Sequence, residues 1–277
     1  MERISFVNGQ FLPHNQCFVH IEDRGFQFAD GVYEVILFKN GKLVDGDWHF
    51  ERLFRSLDGL RMKVSSNQEF FEKTILELFA KNNLTEGSVY LQVTRGSAPR
   101  WPTIPEGTTP TIVATVSPLK ADSKKTIEAI TLEDIRWKKC DVKSVGLIAS
   151  SLAKQRSIDE GADDAIMIRD GFITEATFAN VFIVDSNDNL ITRNADNFIL
   201  NGITRRRIIE IAKESKINVL EKKFSKEELL AAKEVFLTST TLIARPVLKV
   251  DGKVIGDGKP GKISQALLEK YQNFIGS

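Results

Sequence analysis

Two Asn-Gly dipeptides, Asn8-Gly9 and Asn40-Gly41, each sit between short runs of apolar residues. Asn and Gly tolerate the positive φ that both central positions of a tight hairpin turn demand, so ISFVNGQFLP and VYEVILFKNGKLV are predicted to fold as β-hairpins. That commits the start of the chain to antiparallel sheet, and the next segments must cover it. A helix is predicted over 47–60, where Trp48, Leu53, Leu57 and Leu60 recur at near-helical spacing behind the capping candidates Asp45, Gly46 and Asp47. A second is predicted over 67–81, with Phe70, Phe71, Ile75, Leu78 and Phe79 on one broad face. SVYLQVTRG and TPTIVATVS are rich in β-branched residues and read as strands.

The stretch from Pro118 to Lys125 breaks this pattern, being polar and aperiodic. Residues 119–125 are therefore the expected linker between a small N-terminal α+β domain (1–118) and a larger C-terminal one (126–277). The second block reads as a strand at 126–132, a helix near 146–160 and strands near 164–169, 172–176, 180–185 and 189–192. A helix at 203–214, a strand at 217–221, a short helix at 225–231, strands at 234–238 and 244–250 and a helix from about 260 complete it. Strands and helices mixed in two blocks give the expected fold class, two-domain α+β.

Composition narrows the function classes. A net charge of +1 supplies no field for nucleic acid or an anionic membrane surface. No apolar run approaches the roughly 20 residues that span a bilayer, and MERISFVNGQ lacks the apolar core of a signal peptide. Cys17 and Cys140 are the only cysteines, so the expectation is a reducing cytoplasm rather than a disulfide framework. His14, His20 and His49 are the only histidines and no CxxC, HExxH or EF-hand pattern occurs, so no metal centre is expected.

Some segments carry chemistry under one reading and ordinary structure under another. In Asn201-Gly202-Ile203-Thr204 a glycine turn leads into the helix that begins Arg205-Arg206-Arg207. Free N–H groups there, with the Thr204 hydroxyl, would favour a phosphate; read locally, Asn or Thr as a plain N-cap is the commoner use of such a start. Thr238-Ser239-Thr240-Thr241 follows the apolar run EVFL and reads locally as a turn that satisfies its own backbone, with an anion-binding turn as the alternative. Lys143, in CDVKSVGL, reads locally as a solvated lysine. Glu175, in FITEATFANVF, reads locally as an outward-facing strand residue.

Taken in order, these segments form a larger pattern. DRGFQFADGVYEV at 23–35, ERLFRS around Arg52, DIRWKKCDVKS, TEATFANVF, LNGIT at 200–204 and TSTT at 238–241 resemble the fold-type-IV pyridoxal-phosphate enzymes, above all the bacterial D-amino-acid aminotransferases, over nearly the whole chain. The resemblance implies the two-domain α+β fold of that family, with pyridoxal 5′-phosphate between the domains. It implies Lys143 as the Schiff-base lysine and Glu175 as the partner of the pyridine nitrogen. Arg52, Ile203, Thr204, Ser239 and Thr240 fall on phosphate-binding positions, and Leu200 on the residue that packs against the ring. Tyr33 and Arg100 fall on the pocket for the substrate carboxylate. The implied reaction is transamination between a D-amino acid such as D-alanine and a 2-oxo acid such as 2-oxoglutarate, giving pyruvate and D-glutamate. The implied assembly is a homodimer, with Arg100, on the 96–109 loop, reaching the neighbouring subunit; no nucleic-acid or membrane partner is expected.

Two stretches depart from the family. Its D-specific members typically carry Pro-Arg-x-His at the carboxylate pocket, where this chain has Pro99-Arg100-Trp101-Pro102. Proline has no side-chain donor, and losing one such contact costs roughly 1–3 kcal/mol. After the glutamate, Ala176-Thr177-Phe178-Ala179 replaces a serine-rich stretch, and Phe178 adds bulk. Both lie on the substrate side and leave the amino donor open. The alternatives within the fold are a branched-chain L-amino-acid aminotransferase and an aminodeoxychorismate lyase. Outside catalysis they are an idle pyridoxal-phosphate-binding protein and an α+β protein with no cofactor.

Overall fold

The computed structural model describes residues 2–119 and 126–276. Most of the expected linker, residues 120–125, lies outside the described residues. The chain divides into two compact units, Met1–Lys120 with Val142–Gly146, and Ala121–Asp141 with Leu147–Ser277. The sequence partition put the lysine-bearing segment with residues 126–277. Val142–Gly146 instead counts with the first unit, because its backbone bonds there: Tyr33 N–H donates to Lys143 O, and Val145 N–H to Gly31 O, each at 3.0 Å.

In the first unit both hairpins form at the Asn-Gly turns. β1 (Ile4–Val7) and β2 (Gln10–Pro13) pair around Asn8 and Gly9, with φ of 47° and 88°. A short helix that periodicity does not reveal, α1 (Arg24–Phe28), follows; Asp23 caps it by accepting from Gly25 N–H at 2.8 Å. β3 (Gly31–Lys39) and β4 (Lys42–Leu43) pair around Asn40 and Gly41, with φ of 52° and 76°. Next come α2 (Gly46–Gly59), α3 (Gln68–Lys81), β5 (Gly87–Thr94) and β6 (Thr111–Ser117). Both predicted helices are present, but Asp45 occupies the α2 N-cap with left-handed φ and makes no side-chain capping bond. The six strands form an antiparallel sheet in the order β2-β1-β6-β5-β3-β4. The apolar faces of α2 and α3 share one core with it, where the Phe38 and Phe79 rings stack at 4.1 Å.

The second unit runs β7 (Ile127–Glu133), α4 (Ile148–Asp159), β8 (Asp164–Arg169), β9 (Phe172–Ala176), β10 (Asn180–Val184) and β11 (Leu190–Thr192). It continues with α5 (Ile203–Glu214), β12 (Val219–Glu221), α6 (Lys226–Leu230), β13 (Glu234–Ser239), β14 (Ile243–Val250), β15 (Lys253–Val254) and α7 (Lys262–Gly276). Among the described residues the strands form a mixed sheet, ordered β12-β11-β10-β13-β14-β7-β8-β9, with β15 beside β14. One face packs on α5 and α7 through Ile208, Ile211, Leu267 and Tyr271. The other buries Phe224, Leu229 and Ile255.

This sheet curls, and the curl builds the site. β9 and β10 stand five places apart in the strand order, roughly 24 Å if the sheet were flat. Ala176 and Asn180 are nevertheless consecutive strand ends, and four residues of chain reach at most about 14 Å. A turn closed by Ala176 N–H to Ala179 O at 2.7 Å joins them. The curl brings Glu175, at the end of β9, beside Asn180, at the start of β10.

Candidate functional site

Tyr33 and Lys143 meet in the first unit. Lys143 is pinned by its backbone: its N–H donates to Ser56 Oγ at 3.2 Å and its carbonyl accepts from Tyr33. Its Nζ lies 4.2 Å from the centroid of the Tyr33 ring. The lysine is half-buried rather than solvated, because the segment lies along the start of β3. Tyr33 is buried, and its ring stacks on Tyr90 at 5.5 Å.

Arg52 is buried on α2 and locked to Glu34 of β3: Nε donates to Oε1 at 2.8 Å and Nη2 to Oε2 at 2.7 Å. His49 Nδ1 completes the cluster at 2.7 Å from Glu34 Oε2. Burial pushes the Glu34 carboxyl up, but Arg52 and His49 outweigh it and hold it at about 2. An ionised carboxylate only accepts, so His49 carries a proton on Nδ1. Burial, with Arg52 and Lys143 nearby, pulls the His49 pKa below its usual value against the pull of Glu34.

Arg100 is exposed on the 96–109 loop, with its guanidinium 5.2 Å from the Phe28 ring centroid. Arg24 lies over the same ring at 4.4 Å and donates Nη1–H to the Trp101 carbonyl at 2.8 Å. Asp30 ties Arg24 to Arg95, accepting at 2.8 and 2.7 Å. The loop is thereby tethered next to Arg100.

Glu175 and Leu200 meet in the second unit. The local reading of Glu175 as an outward-facing strand residue is wrong: Glu175 is buried, because the curled sheet folds over it. Oε1 accepts from Arg136. Oε2 accepts from Leu200 N–H and Asn180 Nδ2–H, both at 3.1 Å. Burial raises the Glu175 pKa, while Arg136 and the Leu200 N–H pull the other way. Arg136 is itself oriented by Asp134, Nη2 to Oδ2 at 2.7 Å.

Ile203 and Thr204 open α5, but neither Asn201 nor Thr204 caps it. The N-cap is Gly202, with no side-chain capping bond. Its conformation, φ −63°, does not require glycine; its neighbour does, since a Cβ there would stand 2.2 Å from Asn180 Oδ1. Gly202→Ala is expected to destabilise the protein by about 1–3 kcal/mol through this overpacking. An unchanged urea midpoint would contradict the close approach.

Ser239 ends β13 and Thr240 follows in the turn. Ser239 Oγ accepts from Leu242 N–H at 3.2 Å, so part of this turn does satisfy its own backbone. Thr238 does not: its Oγ1 is buried without a hydrogen-bond partner among the described residues.

Sequence reasoning gave no role to Glu34, His49, Arg136 or Asn180. A signal existed for Glu34, which shares the alternating apolar face of Val32 and Ile36 on β3. A charge on such a face needs a partner. Asn180 heads the wholly buried strand NVFIV.

An acid buried among donors, an uncapped helix start and an orphaned buried hydroxyl fit a phosphorylated pyridine in donor chemistry. Residues 31–250 match the class IV amino-transferase family. A D-alanine aminotransferase of Bacillus licheniformis is 40% identical over 271 residues, covering 97% of this chain and 95% of the relative. One from Listeria monocytogenes is 39% identical over 278 residues, covering 97% and 94%. The crystal structure of the Escherichia coli branched-chain amino acid aminotransferase superposes with a TM-score of 0.92 at 24% identity, covering 99% of this chain and 95% of that one. This last likeness bears on the fold alone.

Proposed function

Because the chain belongs to the class IV aminotransferases, two-domain α+β enzymes that work with pyridoxal 5′-phosphate, we propose that it transfers the amino group of a D-amino acid such as D-alanine to a 2-oxo acid such as 2-oxoglutarate. The observation that carries this reading is the 40% identity to a D-alanine aminotransferase over 97% of the chain. When bound, the cofactor would supply an electron sink, its protonated pyridine ring.

The residues divide the work. Lys143 Nζ would hold the cofactor's aldehyde carbon, and the same amine, once freed, would move a proton from the substrate Cα to that carbon, across the intervening nitrogen. The Tyr33 ring beneath Nζ keeps the amine in one place. Glu175 would accept the pyridine N–H, supported by Arg136, whose guanidinium donates to its other oxygen and favours negative charge in the buried site. The N–H groups of Ile203 and Thr204, the hydroxyls of Thr204, Ser239 and Thr240, and Arg52 hold the phosphate. Leu200 packs against the ring. Tyr33 and Arg100 bind the α-carboxylate and so present one face of Cα to Lys143.

The working form is a homodimer. Phe18, Ile21 and Phe26 are each at least 74% exposed within one short stretch of chain, and such apolar surface is covered in stable assemblies. The compartment is the cytoplasm, in keeping with the free Cys17 and Cys140; among the described residues no helix is long and apolar enough to cross a membrane.

Turnover tests the reading. With 2-oxoglutarate as acceptor, pyruvate is expected from D-alanine and none from L-alanine. Turnover of L-leucine without D-alanine would replace it with the branched-chain reading.

A further inference from the structure

Asn180 ties together three segments that no local interaction would align. Its Nδ2 carries two hydrogens and uses both, one to Glu175 Oε2 at 3.1 Å and one to the Leu200 carbonyl at 2.8 Å. Its Oδ1 lies against the Cα of Gly202, the N-cap of α5. The side chain is buried, and its cross-strand partner is Thr238, whose unpartnered hydroxyl shares the same face of the sheet. One amide therefore contacts the end of β9, the 200–202 turn and the head of α5. It does so beside an acid and next to a helix start that lacks a side-chain cap.

We propose that Asn180 is a positioning residue that fixes the Glu175 carboxylate relative to the first turn of α5, so that one phosphorylated pyridine engages both at once. The inference rests on the reading of Glu175 and α5 given above. The separation of a ring nitrogen and a phosphate on one molecule is held within narrow bounds by its covalent frame. A site that grips both ends must hold its acid and its helix start at a matching distance. Strand pairing does not set that distance, since the ladder to β8 shifts register beside Glu175, between the Ile173 and Ala176 pairs, and the 200–202 turn lies outside any strand. The Asn180 amide bridges the two directly. A shorter side chain leaves the carboxylate and the turn to drift apart. A carboxylate in its place sets like charges side by side against Glu175.

The test is equilibrium binding of pyridoxal 5′-phosphate and of pyridoxal, which lacks the phosphate, to the full-length apoprotein and to Asn180→Ala and Asn180→Asp. In the unsubstituted protein the phosphate adds its affinity to that of the ring. In both variants the ratio of the two affinities is expected to fall at least about tenfold, because ring and phosphate no longer fit together. General loosening would weaken both ligands alike and leave the ratio unchanged. A ratio within about twofold of the unsubstituted protein would overturn the proposal; either variant alone decides it, and Asn180→Ser replaces them if neither folds. Lys143→Ala, treated with borohydride in the presence of pyridoxal 5′-phosphate, separates the two failures. If Lys143→Ala retains covalently fixed cofactor, the site reading itself is wrong. If it loses the cofactor while the Asn180 ratio stays unchanged, only the role of Asn180 is.

Discussion

Lys143→Ala is expected to leave the protein folded and to lower transamination by at least roughly 10⁴-fold, the upper end of what a positioned proton-transfer group contributes. The loss is that large because, on the proposed function, the same amine serves twice, as covalent anchor and as the base at Cα. The fold is spared because the structural bonds of this residue come from its backbone, whose N–H reaches Ser56 Oγ and whose carbonyl accepts from Tyr33. Truncation forfeits the contact of Nζ with the Tyr33 ring, of the order of 0.5–2 kcal/mol. Lys143→Arg is expected to be equally inactive, since a guanidinium stays protonated and cannot act as nucleophile or base. Turnover with D-alanine and 2-oxoglutarate, beside a thermal melt, checks both parts. Residual activity within tenfold of the unsubstituted enzyme would remove Lys143 from the chemistry.

Glu34→Gln is expected to be the most damaging change to stability in the first unit. Glu34 is fully buried and neutralises Arg52, so its removal leaves a buried guanidinium without its counter-charge, typically a cost of about 3–5 kcal/mol. The sign of its pH dependence follows from the depressed pKa. The carboxyl titrates at about 2 in the folded protein against a reference of 4.5. Its contribution, about 3 kcal/mol from that difference, is fully present above the unfolded value and is lost as pH falls through the folded one. The gap in urea midpoint between Glu34→Gln and the unsubstituted protein should therefore be widest at neutral pH and narrow between about pH 4.5 and 2. A gap that stays constant down to pH 2 would contradict an ionised Glu34.

Elements whose causes are local were legible in the sequence. Asn8-Gly9 and Asn40-Gly41 turn where their φ preferences require, and the helix expected at 203–214 spans Ile203–Glu214. α1 escaped notice because a five-residue helix shows no period; only Asp23, its cap, could have flagged it. The lysine segment joined the first unit through backbone bonds to β3, a pairing that no feature of CDVKSVGL announces. The site was less legible for the same reason. Lys143 and Glu175 look like surface residues until β3 and the curled sheet cover them, and only resemblance to a family selected them beforehand. Glu34, Arg136 and Asn180 act by holding other side chains, and such pairings across many residues have no spacing to read. The uncapped start of α5 ran opposite to local expectation: Asn201 and Thr204 looked like caps, and Gly202 took the position because Asn180 leaves no room for a Cβ.

The most direct test of D-specific transamination is the absorbance spectrum of the cofactor-loaded protein before and after D-alanine, with L-leucine in a parallel cuvette. The account predicts that D-alanine alone bleaches the visible band of the bound aldehyde form, with one equivalent of pyruvate released per site. Bleaching by L-leucine with no response to D-alanine would contradict it, and would mean that Pro102 and Phe178 belong to a pocket for branched-chain L-amino acids.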